Sequence, residues 1–79
     1  MLDTVAILFG KLKEIQGRIS DEEFARDYLK ISRQSYSAYR NGTRDVSLEF
    51  LSGVMVRFPE LTIPVMQAMD EIGKAEGKQ

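Results

Sequence analysis

Residues 20–44 predict two short helices separated by a turn of about three residues. Ser20 followed three residues later by Glu23 is a capping box, so the first helix is expected to begin directly after Ser20. Ser32 supplies an N-cap for the second helix. The Asn-Gly pair at 41–42 ends it, because both residue types tolerate the left-handed backbone that a helix C-terminus requires. Two helices with so short a connection are typical of a helix-turn-helix.

Three further helices are predicted around this pair. Asp3 is expected to cap a first helix that runs to about Gln16, with apolar residues at helical spacing. A fourth follows the cap residue Ser47 and ends at Pro59, and a fifth opens at Thr62. The fourth helix is expected to bury an apolar face of Leu48, Leu51, Val54, Met55 and Phe58, widened by Phe50 and Val56.

The fifth helix is expected to end at Gly73, and no segment shows the alternation of a strand. The pattern therefore predicts an all-α chain with one five-helix domain over residues 1–73 and a short polar tail over 74–79.

Composition removes several classes of activity. The chain has 79 residues, which suits one domain, and it contains no cysteine and no histidine. Disulfides, thiolate nucleophiles, His-based triads and zinc sites of the Cys/His kind are thereby excluded. There is also no Gly-rich phosphate loop. We expect no enzyme, no metal and no cofactor. The apolar runs are too short for a membrane span or a signal sequence, so a cytoplasmic protein is expected.

The charge distribution is uneven although the net charge is only −1. Residues 1–27 contain six acids and four bases, and residues 45–79 contain six acids and three bases. Residues 28–44 contain Lys30, Arg33, Arg40 and Arg44 and no acid at all. Positive charge is thus concentrated on the second helix of the pair and the loop after it, as in a protein that binds nucleic acid. The alternative is a solvated helix face with a chance gap in the acids.

Three segments resemble the Cro/C1-type (XRE) family of DNA-binding proteins. They are EEFA at 22–25, KISRQSYSAYRNGTR at 30–44 and VSLEFLSGVM at 46–55. The family has an E-x-[LF]-A helix, a G-I-S turn into a recognition helix, a polar-Gly helix end with a basic loop, and S-L-x-x-L. The resemblance covers residues 20–58. It implies a lambda-repressor-like fold of five helices and a small transcriptional regulator similar to phage Cro proteins or prophage repressors.

The chain departs from that family pattern at three places. Lys30 stands where the family usually has the turn glycine, and there are five steps rather than four from Ala25 to that position. The second helix is therefore expected to be longer by one residue, which would rotate the third helix. Asp21 and Glu22 occupy the helix start where many members have a Gln that meets phosphate.

The resemblance also assigns residues to DNA contacts. Arg33 and Gln34 match the first two positions of the recognition helix, and these side chains can bond bidentately to guanine and adenine respectively. Ser37 and Ala38 lie one turn further along and complete the predicted base contacts. The predicted phosphate contacts are Ser32, Ser35, Arg40, Asn41, Thr43 and Arg44.

Several of these residues have a simpler alternative. For Ser32 and Asn41 the alternative is a role as helix caps without any contact to DNA. For Arg33 it is an ion pair with an acid of the second helix. Tyr36 and Tyr39 are expected in the core rather than against bases.

Double-stranded DNA with a palindromic operator is the expected partner, bound by a homodimer, because one subunit offers few cations. Met66, Met69 and Ile72 are the predicted dimer interface, and core packing is the alternative for Met69. A second interpretation keeps the fold but makes it a protein-interaction module, such as an antitoxin or an inhibitor of a transcription factor. The overall acidity favours that second interpretation.

Overall fold

The computed structural model describes residues 2–76, and this part of the chain consists of five helices with no strand. The helices are α1 (Asp3–Gln16), α2 (Asp21–Glu23, continued by Phe24–Leu29), α3 (Arg33–Asn41), α4 (Leu48–Arg57) and α5 (Thr62–Glu76). A 3₁₀ turn, Pro59–Leu61, joins α4 to α5. The predicted all-α class is confirmed. No helix within residues 2–76 combines the length and the apolar character that crossing a membrane demands.

The predicted helix starts are confirmed for the three helices that follow a serine. Ser20, Ser32 and Ser47 each accept a hydrogen bond from the backbone N–H three residues later, at 3.2, 3.0 and 3.0 Å. The prediction for Asp3 is wrong, because the N-cap of α1 is Leu2 and makes no side-chain bond. A residue distant in the sequence accepts hydrogen bonds from the start of α1 instead. Glu71 of α5 accepts from the Thr4 N–H at 3.0 Å and from the Thr4 hydroxyl at 2.6 Å.

The predicted end of α5 is also wrong, because the helix continues through Gly73 to Glu76. A glycine inside a helix costs only about 1 kcal/mol relative to alanine, which is too little to stop a helix by itself. The remainder of the predicted tail, residues 77–79, lies outside the described residues.

Helix α2 changes its hydrogen-bonding pattern along its length. Its first turn is α-helical, and Phe24–Leu29 is π-helical, with the Lys30 N–H bonded to the Ala25 carbonyl. Bonds of this type span five residues instead of four, so the π segment takes up one residue more than an α-helix would. Lys30 then has the left-handed conformation, with φ 58° and ψ 38°. The chain thus makes the turn into α3 with a lysine where a glycine would fit without strain.

The hydrophobic core lies between α1 and the other helices and is rich in aromatic rings. Phe24 and Tyr36 are fully buried with ring centroids 5.8 Å apart, and Phe9 lies 6.2 Å from Tyr36. Tyr39 of α3 packs on Phe50 of α4 at 5.0 Å. These contacts hold the inner face of α3 against the body of the protein.

The predicted apolar face of α4 is only partly correct. Phe50, Leu51 and Val54 are buried, whereas Leu48 and Val56 are exposed. At 100° per residue Val56 points almost opposite to the centre of the buried stripe, and Leu48, in the first turn, points roughly 110° away from it. Both leave an apolar side chain in solvent.

Candidate nucleic-acid interface

Helix α3 is anchored by its inner face and exposes its outer face. Tyr36 is its one buried residue, which confirms the predicted core position. Gly42 ends the helix with φ 79°, so the C-cap is this glycine and not Asn41. Asn41 is therefore the last helical residue, with an exposed side chain. The alternative that Asn41 is only a helix cap therefore does not apply, because Gly42 is the C-cap.

A groove of about 360 Å³ runs along the outer face of α3, and we refer to it as the α3 groove. It is lined by Arg33, Gln34, Ser37, Ala38, Asn41 and Thr43. All four residues predicted to contact bases therefore line one surface, together with two of those predicted to contact phosphate. None of its lining residues is acidic, so the groove is suited to a ligand with hydrogen-bonding groups and negative charge.

Arg44 is folded back onto α3. Its Nη1 donates to Ser35 Oγ at 2.8 Å, and its guanidinium lies 5.7 Å from the centre of the Tyr39 ring. Ser35 is itself bonded to Ser32 Oγ at 3.0 Å. These contacts connect three residues predicted to meet phosphate, near the start of α3 and in the loop after it. An arginine held in this way loses less side-chain entropy when it binds an anion.

The loop after α3 is also fixed to the helix by hydrogen bonds. Thr43 donates from its N–H and from its hydroxyl to the Ala38 carbonyl, at 3.0 and 3.2 Å. Asn41 Nδ2 donates to Ser37 Oγ at 3.2 Å. The exposed polar groups of the loop therefore keep a fixed position relative to the α3 groove.

Arg40 is engaged within the protein. Its two terminal nitrogens donate to both carboxylate oxygens of Asp21, at 3.1 and 3.3 Å, and its guanidinium lies 5.0 Å from the Tyr36 ring centre. These bonds, with a further one from Gln16, lower the pKa of Asp21 to about 2. The guanidinium of Arg40 already faces a carboxylate, which disfavours the predicted contact of this residue with phosphate.

Gln16 supports the candidate interface from within the protein, and the sequence did not predict this role. It is buried, accepts from the Tyr36 hydroxyl at 2.7 Å, and donates to Asp21 Oδ1 at 2.7 Å and to the Ile19 carbonyl at 2.8 Å. The signal was available in part, since Gln16 lies four residues after Leu12 on the apolar stripe of α1. Its contacts join the end of α1 to the start of α2 and to α3.

Arg33 makes no ion pair in the structure of residues 2–76, where the pairs are Arg40–Asp21, Arg26–Asp27 and Lys74–Asp70. The alternative that α2 neutralises Arg33 by a direct salt bridge therefore finds no support there. Arg33 does border a second hollow of about 310 Å³, which it shares with Ser20, Asp21 and Glu22. It is thus the residue at which the acid-free α3 groove meets an acidic surface.

The three residues predicted to form a dimer interface differ in exposure. Met66 is 57 % exposed, whereas Met69 and Ile72 are half-buried and pack against the core of their own chain. Core packing, the alternative for Met69, therefore applies to the buried part of this side chain. Among residues 2–76 there is no group of three or more acidic side chains that could hold a metal ion.

Comparison with known proteins gives no assignment. The chain matches no protein-family model, no curated protein and no solved structure.

Proposed function

We propose that this chain is a sequence-specific DNA-binding regulator of transcription, in which α2 and α3 form a helix-turn-helix of the Cro/C1 type. Helix α3 enters the major groove and the loop after it follows the phosphate backbone. The protein acts in the cytoplasm as a small repressor of the phage or prophage kind. The lambda-repressor-like arrangement of the five helices belongs to the same proposal.

The α3 groove is the observation that carries this proposal. Arg33, Gln34, Ser37 and Ala38 line this groove together, the first two with exposed side chains and the last two half-buried. A guanidinium, an amide, a hydroxyl and a methyl group are the chemical groups that read base edges, by bidentate bonds to guanine and adenine and by contact with the thymine methyl. The groove has no carboxylate in its lining, and the buried Tyr36 anchors the same helix in the core.

The backbone contacts follow from the residues around the groove. Arg44 and Thr43 lie in the loop, Asn41 lines the groove, and Ser35 and Ser32 are linked to Arg44 by hydrogen bonds. With Arg40 committed to Asp21, few cations remain to neutralise phosphates. Affinity of a single subunit should then be low, and it should fall as the salt concentration is raised. A homodimer on a palindromic operator doubles these contacts, and Met66 is the most exposed of the proposed interface residues.

A second candidate function is a protein-interaction module on the same helices. It is favoured by apolar side chains in solvent away from the α3 groove, among them Leu48, Val56 and Ile63, which are 58, 77 and 67 % exposed. A large contiguous apolar surface is typical of a protein-interaction site, whereas single exposed apolar residues are common on any protein.

Titration of a fluorescent random-sequence duplex, together with selection of bound sequences from a random pool, separates these candidates. We expect binding whose affinity falls by orders of magnitude between about 50 and 200 mM salt, and a selected sequence with two-fold symmetry. A chain that is folded by circular dichroism and binds no duplex even at low salt would contradict the proposal and favour a protein partner.

A further inference from the structure

The hollow beside Arg33 contains two carboxylates in different electrostatic states. Asp21 is paired with both terminal nitrogens of Arg40, so its negative charge is balanced by the guanidinium. Glu22 is exposed and takes part in none of the ion pairs present in residues 2–76. Arg26 lies four residues further along the same helix and acts on Glu22 only through space, because its guanidinium is bonded to Asp27 at 2.9 Å. Glu22 therefore contributes a carboxylate without a direct ionic partner to the hollow that Arg33 borders.

From this placement we infer that Glu22 is a specificity-determining residue, which acts by disfavouring a phosphate group at Arg33. The inference rests on the proposed function of the α3 groove. A guanidinium binds phosphate and guanine with similar bidentate geometry, so an unguarded arginine on a DNA-binding face binds any sequence. Discrimination requires that one of the two ligands be penalised.

The carboxylate of Glu22 supplies that penalty because the two ligands differ in charge. A phosphate carries a full negative charge and is repelled by Glu22, whereas the guanine O6 and N7 edge is neutral and is not. Across several ångströms of solvent-exposed surface, such a repulsion is worth roughly a threefold change in affinity at low salt. Glu22 thus lowers binding to random DNA more than binding to a site that presents guanine to Arg33.

The position of Glu22 also restricts contacts with the DNA phosphate backbone to one side of Arg33. Arg33 lines both the α3 groove and the acidic hollow, so the surface changes sign at this residue. Phosphates are accepted on the side of Thr43 and Arg44 and repelled on the side of α2. Glu22 is therefore expected to fix the position of the duplex along α3 as well as to limit its affinity.

The test compares two exposed, adjacent glutamates. Glu22 lines the hollow and Glu23 does not, while both lie in the field of Arg26. Glu22→Gln and Glu23→Gln remove the same charge, and each is measured against a random-sequence duplex and against the tightest duplex selected by the wild-type protein from a random pool. Circular dichroism checks that both variants fold.

We expect Glu22→Gln to tighten binding of the random duplex about threefold and to change the selected duplex little, so that the ratio of the two affinities falls about threefold. Glu23→Gln should leave the ratio unchanged. An unchanged ratio in Glu22→Gln, or an equal fall in both variants, would overturn the inference.

A double variant tests whether Glu22 acts through Arg33. In the Arg33→Ala background, Glu22→Gln should no longer alter the affinity ratio, and a ratio that still falls would show that Arg33 is not involved. Failure of the underlying function gives a different result. In that case the wild-type protein binds neither the random nor any selected duplex, and the proposed DNA-binding function is rejected before any variant is compared.

Discussion

The Tyr36 hydroxyl donates a 2.7 Å hydrogen bond to Gln16 Oε1, and both side chains are buried. Gln16 in turn donates a hydrogen bond to Asp21, and Asp21 forms an ion pair with Arg40. The Arg40 guanidinium lies over the Tyr36 ring. The result is a closed polar circuit that joins the end of α1, the start of α2 and the inner face of α3. The orientation of the exposed α3 groove is therefore set from beneath by this circuit.

Removing the Tyr36 hydroxyl tests the contribution of that bond. Tyr36→Phe should lower the free energy of unfolding by about 1–2 kcal/mol, because Gln16 Oε1 is left buried without its donor. Urea denaturation followed by circular dichroism measures the change. Tyr28→Phe is the matched control, since the Tyr28 side chain is exposed and the same atom is lost at little cost. Equal stability of the two variants would show that the bond to Gln16 contributes nothing.

The Asp21–Arg40 pair should make stability depend on pH in the acid range. The folded-state pKa of Asp21, about 2, lies below its ordinary value of 3.8, so the unfolded chain takes up this proton first as the pH falls. The stabilisation is complete above about pH 4 and is lost as the pH falls towards 2. Since both side chains are about one-third exposed, we expect about 1–2 kcal/mol from the pair.

Asp21→Asn isolates this effect from other carboxylates. The variant should be less stable than the wild type at neutral pH, and the difference should vanish near pH 2, as measured by urea denaturation at a series of pH values. Asp27→Asn removes a carboxylate from an exposed pair with Arg26 and should have a much smaller effect. A constant difference between wild type and Asp21→Asn at every pH would rule out the ion pair as its cause.

The left-handed conformation of Lys30 predicts a stabilising substitution. Lys30→Gly should raise the free energy of unfolding by about 1 kcal/mol, because glycine adopts φ 58° without the clash of a Cβ atom. Lys30→Ala removes the same charge but keeps the Cβ atom and should gain nothing. Thermal unfolding of the three proteins distinguishes the cases, and a gain in the alanine variant equal to that in the glycine variant would point to charge instead of backbone strain.

The helices and most of their boundaries could be predicted because local signals decide them. Ser20, Ser32 and Ser47 each cap the helix that follows, and each cap needs only residues within the next turn. Pro59 ends α4 for an equally local reason, since its ring cannot continue a helix. The apolar stripe of α1 is periodic, and its central residues Val5, Leu8, Phe9 and Leu12 are buried as predicted, whereas Leu2 and Ile15 at its ends are half-buried.

The features that the sequence did not predict depend on distant residues. Glu71 bonds to the start of α1 across 67 positions of the chain, and no local pattern marks it. The extra residue before Lys30 was visible in the spacing, but its accommodation as a π-helical segment depends on how α2 packs against α3 and α4. Arg40 is the weaker of the predicted phosphate contacts, and the sequence gives no sign that the fold brings Asp21, 19 positions away, within 3.1 Å of its guanidinium.

Arg33 and Arg44 should contribute to DNA binding in different ways. Arg33→Ala is expected to weaken a selected operator far more than random DNA, by about 1–3 kcal/mol, because its proposed partner is a base edge. Arg44→Ala should weaken every sequence about equally and reduce the salt dependence by about one counterion, because its proposed partner is a phosphate. Anisotropy titrations of both duplexes at several salt concentrations measure each quantity. The contacts would have to be reassigned if Arg44→Ala selectively lost discrimination at one base pair.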